Sequence, residues 1–312
     1  MNITQLEYII SLDHYKSFSI AAEKCKVTQP TLSTQVKKLE EELGVVLFDR
    51  SKYPLETTEV GEEVIDQARK SIGEIKGIYE VVKGHKDVIS GDLNLAVIPT
   101  LAPYLVPKFL GDFLRKYPEV RLKVTEEKTE NIIRGLERGE FDAGLAATPL
   151  GEPSIEEVPI FFEKLLCYMS ERLSDVHKNT VMVEDILDSK IWMLSEGNCI
   201  RNQTLNLCNM AQLNHRDMEV QYESGSIETL LRLVDMEGGS TIIPELCTLD
   251  LDDDRLDRVK FVGTQDPVRQ ISLLTRRKGY KKRLFEALIS SIADALPNQV
   301  KENKGSSIIS IA

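Results

Sequence analysis

The stretch from Ser19 to Gly44 limits the fold more than any other part of this chain. Thr28 offers a helix N-cap, and Pro30 stands in the first turn, where a missing N–H costs nothing. Leu32, Val36, Leu39 and Leu43 then recur at spacings of 4, 3 and 4, giving one apolar face. Gln29, Thr31, Ser33, Thr34 and Lys37 lie on the other face, and Gly44 follows as a C-terminal stop. Upstream, Ser17 or Ser19 can cap a short helix holding Ala21 and Ala22, whose small side chains let a second helix cross closely. The pattern predicts a helix-turn-helix whose second helix is apolar behind and polar at its N-terminal end, as entry into a major groove requires. Gln can make paired hydrogen bonds to adenine, while Thr and Ser serve phosphates, either base or a thymine methyl. An amphipathic hairpin with no partner has the same periodicity, so pattern alone leaves both readings open.

Charge does not favour nucleic acid. The net charge is −11, and the first sixty residues carry seven Lys or Arg against nine Asp or Glu. Any DNA contact there must rest on a locally basic face and specific base contacts. At 312 residues the chain has room for two domains, with the 42 % hydrophobic and 29 % charged make-up of an ordinary soluble protein. No apolar run approaches the roughly 18 residues needed to span a bilayer. The start, Met1 to Glu7, lacks the basic and apolar regions of a secretion signal. A cytoplasmic location is expected, where a disulfide is transient or sensory rather than structural.

Residues 5–94 read as helix, interrupted near 50–57. From Leu93 onward, short apolar strands alternate with helices: strands at 93–98, 120–124 and 141–146, with helices at 104–117 and 131–138 between them. That order predicts a mostly parallel, doubly wound sheet. Strands at 191–194, 240–244 and 271–275 and helices at 199–210, 227–236 and 281–296 continue the alternation, and the polar tail 301–312 reads as flexible.

Several motifs agree in order and spacing: Ala21-Ala22, Val27-Thr28-Gln29-Pro30-Thr31-Leu32-Ser33, Leu39 to Gly44, Leu47-Phe48-Asp49-Arg50 and Thr57 to Gly61. Through about the first sixty residues the chain resembles the LysR-type transcriptional regulators. The resemblance implies a winged helix-turn-helix at 1–60 with its wing at Leu47 to Thr58. Gln29, Pro30, Thr31, Ser33, Thr34, Lys37 and Arg50 would then face a double-stranded DNA operator. It further implies a linker and dimerisation helix with hinge at 61–90, using a stripe of Val64, Ala68, Ile72, Ile75, Tyr79 and Val82 to form a homodimer or homotetramer. Residues 91–300 would form a two-lobed, periplasmic-binding-protein-like α/β effector domain, lobe one at 91–164 plus 268–300 and lobe two at 165–264. RNA polymerase would be a further partner; no membrane partner and no cofactor are expected.

Of the five cysteines none stands in a C-x-x-C pair, so no metal site is expected. His14, His85, His177 and His215 are scattered and read as surface or packing residues, and no P-loop, G-x-S-x-G or H-E-x-x-H motif marks an enzyme. Cys25, Cys167 and Cys247 sit in apolar surroundings and read as small buried hydrophobes. Cys199 differs, since it follows a Gly-Asn turn at a predicted helix N-terminus with Arg201 two residues on. Both features favour a thiolate, the form that attacks peroxide to give a sulfenic acid, which a second thiol can resolve. Cys208 comes nine positions later. On a continuous helix that separation is about 13.5 Å of rise, so a bond between the two requires local rearrangement. Two unrelated cysteines on one helix remain the plain alternative.

Gly197 to Gln203 through Cys208, followed by Ser226 to Leu230, is similar to the peroxide-sensing members of the LysR family. That similarity implies redox-active Cys199 and Cys208 and a peroxide pocket of Thr100, Thr129, Asn198, Arg201 and Arg269. It also implies hydrogen peroxide as signal, a thiol reductant for resetting and activation of oxidative-stress genes. Where those members commonly carry His and Asp, this chain has Asn198 and Asn202, removing two proton-transfer groups, and its 209–225 stretch is longer. The competing expectations are a LysR-type regulator with a small metabolite between its lobes, and a thiol peroxidase.

Overall fold

The structure is a computed structural model that describes residues 1–84, 88–174, 178–208, 225–263, 266–277, 281–303 and 307–309. Of the histidines, His85, His177 and His215 lie outside these residues, as does the 209–224 stretch. The chain forms two compact units, one made mainly by residues 1–86 and the other by nearly all the rest.

In the first unit, α1 (Ile3–Tyr15) starts at a capping box in which Asn2 accepts from the Gln5 N–H and Gln5 accepts in return. Helix α2 (Phe18–Lys24) follows, then α3 (Gln29–Leu43), whose Thr28 cap accepts from the Thr31 N–H. Ala21 and Ala22 are buried where the helices cross. A two-stranded hairpin, β1 (Phe48–Asp49) with β2 (Glu56–Thr57), forms the wing, and α4 (Glu59–Gly84) leaves it. The wing and α4 meet at Gly61, where a Cβ would stand 2.2 Å from the Leu47 carbonyl oxygen.

Three expectations need correction here. Ser17 is the N-cap of α2 but makes no side-chain capping bond, and Leu43, placed on the apolar face of α3, is exposed. The α4 stripe does not all await a second chain. Ala68 and Ile72, together with Ile65, are buried in the core that Leu6, Ile9, Leu12 and Val36 share, and Val64 packs on it. The first half of α4 thus completes its own domain, since a three-helix core this small needs a fourth apolar face. Ile75 is half-buried and Ile78 is exposed; the side chains of Tyr79 and Val82 lie outside the described residues.

The second unit starts with β3 (Gly91–Val97), α5 (Ala102–Lys116), β4 (Val120–Glu126), α6 (Thr129–Arg138) and β5 (Ala143–Thr148). A 15-residue strand β6 (Ile155–Met169) leads to β7 (Thr180–Val181), α7 (Val183–Leu187), α8 (Cys199–Leu207), α9 (Ile227–Glu237) and β8 (Ser240–Pro244). The chain continues through α10 (Asp253–Leu256), β9 (Val259–Val262), β10 (Val268–Arg276), α11 (Lys282–Ala295) and α12 (Asn298–Lys301). The sheet order is β4-β3-β5-β10-β6-β9-β7, with β8 also on β6.

Strands β3, β4 and β5 keep the parallel arrangement expected of the alternation, and β7 pairs in parallel with β9. Strands β10 and β6 run antiparallel to their neighbours, so the sheet is mixed. The reason lies in β10, which returns from late in the chain to lie between β5 and β6 and runs against both. Strand β6 passes from one hydrophobic core, which contains Phe161, to others containing Leu165 to Met169. The tail also departs from expectation, because Ser307 to Ile309 pair with β10 at Val268 instead of fraying.

Candidate functional site

Parallel β3 and β4 end side by side, and the chain delivers one threonine just beyond each. Thr100 follows β3, and Thr129 opens α6. Both are buried. Functional groups collect at such carboxyl-terminal strand edges because the backbone diverges there into loops and helix N-termini. From the other side α8 arrives with Cys199 as its first residue and Asn198 as N-cap. The Cys199 Sγ lies 3.0 Å from Thr129 Oγ1, within hydrogen-bond reach for a sulfur. Cys199 is buried in the core that β3, β5 and α5 build, although Ile200 and Cys208 of the same segment lie in other cores.

Arg269 on β10 is completely buried. Its Nη1 donates to Thr100 Oγ1 at 3.1 Å, and its Nη2 donates to the Thr100 carbonyl at 3.2 Å. Its Nε donates to Glu163 Oε1 at 2.7 Å. Glu163 also accepts from the Leu246 N–H at 3.2 Å. Burial pushes the Glu163 carboxyl up, against the opposing pull of Arg269. Glu163 went unread in the sequence. Its only signal was one acid in the apolar run 158–169, the mark of a buried partner for a buried cation.

The loop before Cys199 is braced from three directions. Asn198 Nδ2 donates to the Ser195 carbonyl at 2.9 Å and to its Oγ at 3.1 Å. Arg201 Nη1 donates to the Leu194 carbonyl at 3.1 Å, so it holds this segment to α8. Lys128 Nζ donates to the Glu196 carbonyl at 2.8 Å, and its stem covers Gly197, whose φ of +81° suits glycine. Lys128 carried no sequence signal beyond lying next to Thr129.

All five cysteines are free. Cys208 caps the C-terminal end of α8 and is buried with Cys167, Met169, Val181 and Ile242. Burial pushes its thiol up to about 11 and that of Cys247 also to about 11; Cys167 is raised as well, by burial first. Among the described residues no group of three or more His, Cys, Asp or Glu could hold a metal ion.

In the first unit, Gln29, Pro30, Thr31, Thr34 and Lys37 are exposed along α3, and Ser33 is half-buried beside them. Thr31 Oγ1 is 2.8 Å from Thr28 Oγ1, and Lys37 forms an exposed ion pair with Glu41 at 3.7 Å. Arg50 Nη2 donates to Glu40 Oε2 at 2.7 Å, and its guanidinium lies 5.2 Å from the centroid of the Phe18 ring. Glu40 Oε1 accepts from the Leu47 N–H at 2.9 Å and from the Phe48 N–H at 3.4 Å. One buried carboxylate therefore both shapes the turn into the wing and aims Arg50. The sequence showed Glu40 only as part of an acidic run.

A winged helix-turn-helix followed by an α/β unit of this topology defines a transcription regulator with an attached sensing domain. Residues 3–62 match the bacterial regulatory helix-turn-helix proteins of the lysR family, and residues 86–297 match the LysR substrate binding domain. The chain belongs to the LysR family of transcriptional regulators. It is 32 % identical over 296 residues to a hydrogen peroxide-inducible genes activator of Haemophilus influenzae, covering 94 % of this chain and 97 % of that one. It is 31 % identical over 294 residues to the DNA-binding transcriptional dual regulator OxyR of Escherichia coli K12, covering 94 % and 95 %. Among solved structures, full-length OxyR C199D from Pseudomonas aeruginosa matches with a TM-score of 0.78 at 31 % identity, covering 94 % of this chain and 98 % of that one. No described helix is long and apolar enough to cross a membrane.

Proposed function

We propose that this chain is a hydrogen-peroxide-responsive activator whose switch is a reversible Cys199–Cys208 disulfide. The observation that carries the reading is the 3.0 Å contact between the Cys199 thiol and Thr129, at a helix N-terminus beside the strand ends. The names of the peroxide-inducible relatives support it.

The Cys199 thiolate attacks one peroxide oxygen. The O–O bond breaks, and the departing hydroxide takes a proton and leaves as water, giving Cys199 sulfenic acid. Thr129 and Thr100 orient the peroxide, and Arg269 stabilises the charge on the departing oxygen. Cys208 sulfur then attacks the Cys199 sulfur, the S–O bond breaks, and a second water leaves as the disulfide forms. A dithiol reductant resets it by exchange. Cys208 acts second because its thiol is raised and a helix separates it from Cys199. With its thiol near 11, only about one Cys208 in ten thousand is ionised at pH 7, so it attacks only after α8 opens. Opening is also required by length, since α8 is helical from Cys199 to Leu207.

The lobe limits 91–164 with 268–300 and 165–264 fit this scheme, with α8 carried by the second lobe and its first residue seated in the core of the first. On the operator, Gln29, Thr31, Ser33 and Thr34 read bases or phosphates, Pro30 shapes the helix entry, and Lys37 and Arg50 bind backbone. A homo-oligomer, RNA polymerase contact and a cytoplasmic setting complete the proposal.

The test uses wild type, Cys199→Ser and Cys208→Ser, each given one equivalent of peroxide. Mass spectrometry should find the disulfide in wild type, a sulfenic acid in Cys208→Ser, and thiols in Cys199→Ser. If Cys199→Ser oxidises at the wild-type rate, the roles are wrong. If all three activate transcription alike under peroxide, a small metabolite between the lobes is the signal instead.

A further inference from the structure

Helix α8 is held from outside by the end of the chain. On its β5 side, β10 is paired only as far as Gln270, opposite Thr148. Beyond that point the tail takes over. The Val268 N–H donates to the Ser307 carbonyl at 2.9 Å, the Ile309 N–H donates to the Val268 carbonyl at 2.9 Å, and Ile308 forms a parallel bridge with Val268. The same tail reaches α8, where Gln203 Nε2 donates to the Ile309 carbonyl at 3.3 Å. Ile309 also packs on the hydrophobic cluster that contains Cys208.

Gln203 sits on α8 between the two cysteines and is fully buried. Among the described residues its Oε1 has no hydrogen-bond partner, and the amide is held by its bond to the tail and by packing. A buried primary amide with only one of its ends satisfied is costly, and it regains water when the helix opens. Val268, the other anchor, directly precedes Arg269. The tail therefore touches both the helix that must open and the strand that carries the buried arginine.

We propose that residues 307–309 are a latch on α8, and that the latch must release before Cys208 can reach Cys199. The inference rests on the disulfide switch proposed above. Attack of Cys199 on peroxide needs no motion of α8 and is independent of the latch; closure of the disulfide needs that motion and is slowed by it. The tail thus sets how long the sulfenic acid survives, and so whether small thiols can intercept it.

The experiment compares the full chain with a chain ending at residue 306 and with Ile309→Asn, which keeps the backbone pairing but weakens the packing. Sulfenic acid formation is timed in a Cys208→Ser background, and disulfide closure is timed by acid quench and mass spectrometry. Loss of two backbone hydrogen bonds and the side-chain packing should speed closure by roughly tenfold in the truncated chain, with a smaller gain in Ile309→Asn. The rate of sulfenic acid formation should be the same in all three. Equal closure rates in the full and truncated chains overturn the latch and leave the peroxide switch standing. Absence of a Cys199–Cys208 disulfide in every chain overturns the switch and the latch together.

Discussion

Thr129 and Cys199 come from different parts of the chain, 70 residues apart, and meet through a single hydroxyl–sulfur contact. Removing the hydroxyl while keeping the shape isolates its contribution. Thr129→Val should slow sulfenic acid formation by about tenfold, the scale of one lost hydrogen bond to a charged group, while Thr129→Ser should keep most of the rate. Equal rates in both variants would sink the assigned role. Glu163 behaves differently, because it acts through Arg269. Glu163→Gln leaves a fully buried guanidinium without a counter-charge, which costs about 3–5 kcal/mol. Urea unfolding should therefore show a lower midpoint for that variant even in fully reduced protein. Cys199 drew notice at this scale through the Gly-Asn turn before it and Arg201 after it, and Cys208 only through its spacing from Cys199. Glu163, Lys128 and Gln203 were not legible, because their partners lie 106, 68 and 106 residues away and no local pattern records such distances.

The elements of the winged helix owe their arrangement to two carboxylates. Glu40 accepts from two backbone N–H groups at the entry to the wing and from Arg50. Glu40→Ala should destabilise the domain by about 1–3 kcal/mol, the penalty for stranding buried donors, and should free Arg50 from its fixed direction. Arg50→Ala should weaken every operator alike and lower the salt slope by roughly one, whereas replacing Gln29 should relax sequence choice. A footprinting titration at several salt concentrations separates the two. The second carboxylate, Asp13, ties α1 to β2 and α4. Burial alone would raise it, but hydrogen bonds from Lys16, Thr57 and Arg69 outweigh burial and lower it below its usual 3.8. A depressed carboxylate stabilises the fold above its unfolded pKa and loses that contribution as pH falls through the folded one. Asp13→Asn should accordingly flatten the fall in thermal stability below about pH 4 while lowering stability at neutral pH. The bounds of α3 were readable from its cap, periodicity and terminal glycine, whereas the wing came only through the family resemblance. The direction of β6 and β10 was not readable, because an apolar run reports that a strand is buried and says nothing of which neighbour it joins.

At the scale of the molecule, α4 divides its apolar residues between two tasks. Ile65, Ala68 and Ile72 close the core of the first unit, while Ile78 remains 65 % exposed. Ile72→Glu should unfold the DNA-binding domain. Ile78→Glu should leave it folded and shift sedimentation toward smaller species, and an unchanged oligomer with the fold intact would place the assembly seam elsewhere. Helical periodicity showed the stripe but could not say which part faces inward, since both tasks impose the same spacing. The two ends of α8 are rooted in different hydrophobic cores, Cys199 in one and Cys208 in another. Joining their sulfurs must draw at least one of them out and leave apolar surface wet. The oxidised protein should therefore unfold with a smaller heat-capacity increment than the reduced protein, and its stability curve should be flatter across temperature. Scanning calorimetry on the two forms, with no DNA present, would register the signal as a change in hydration.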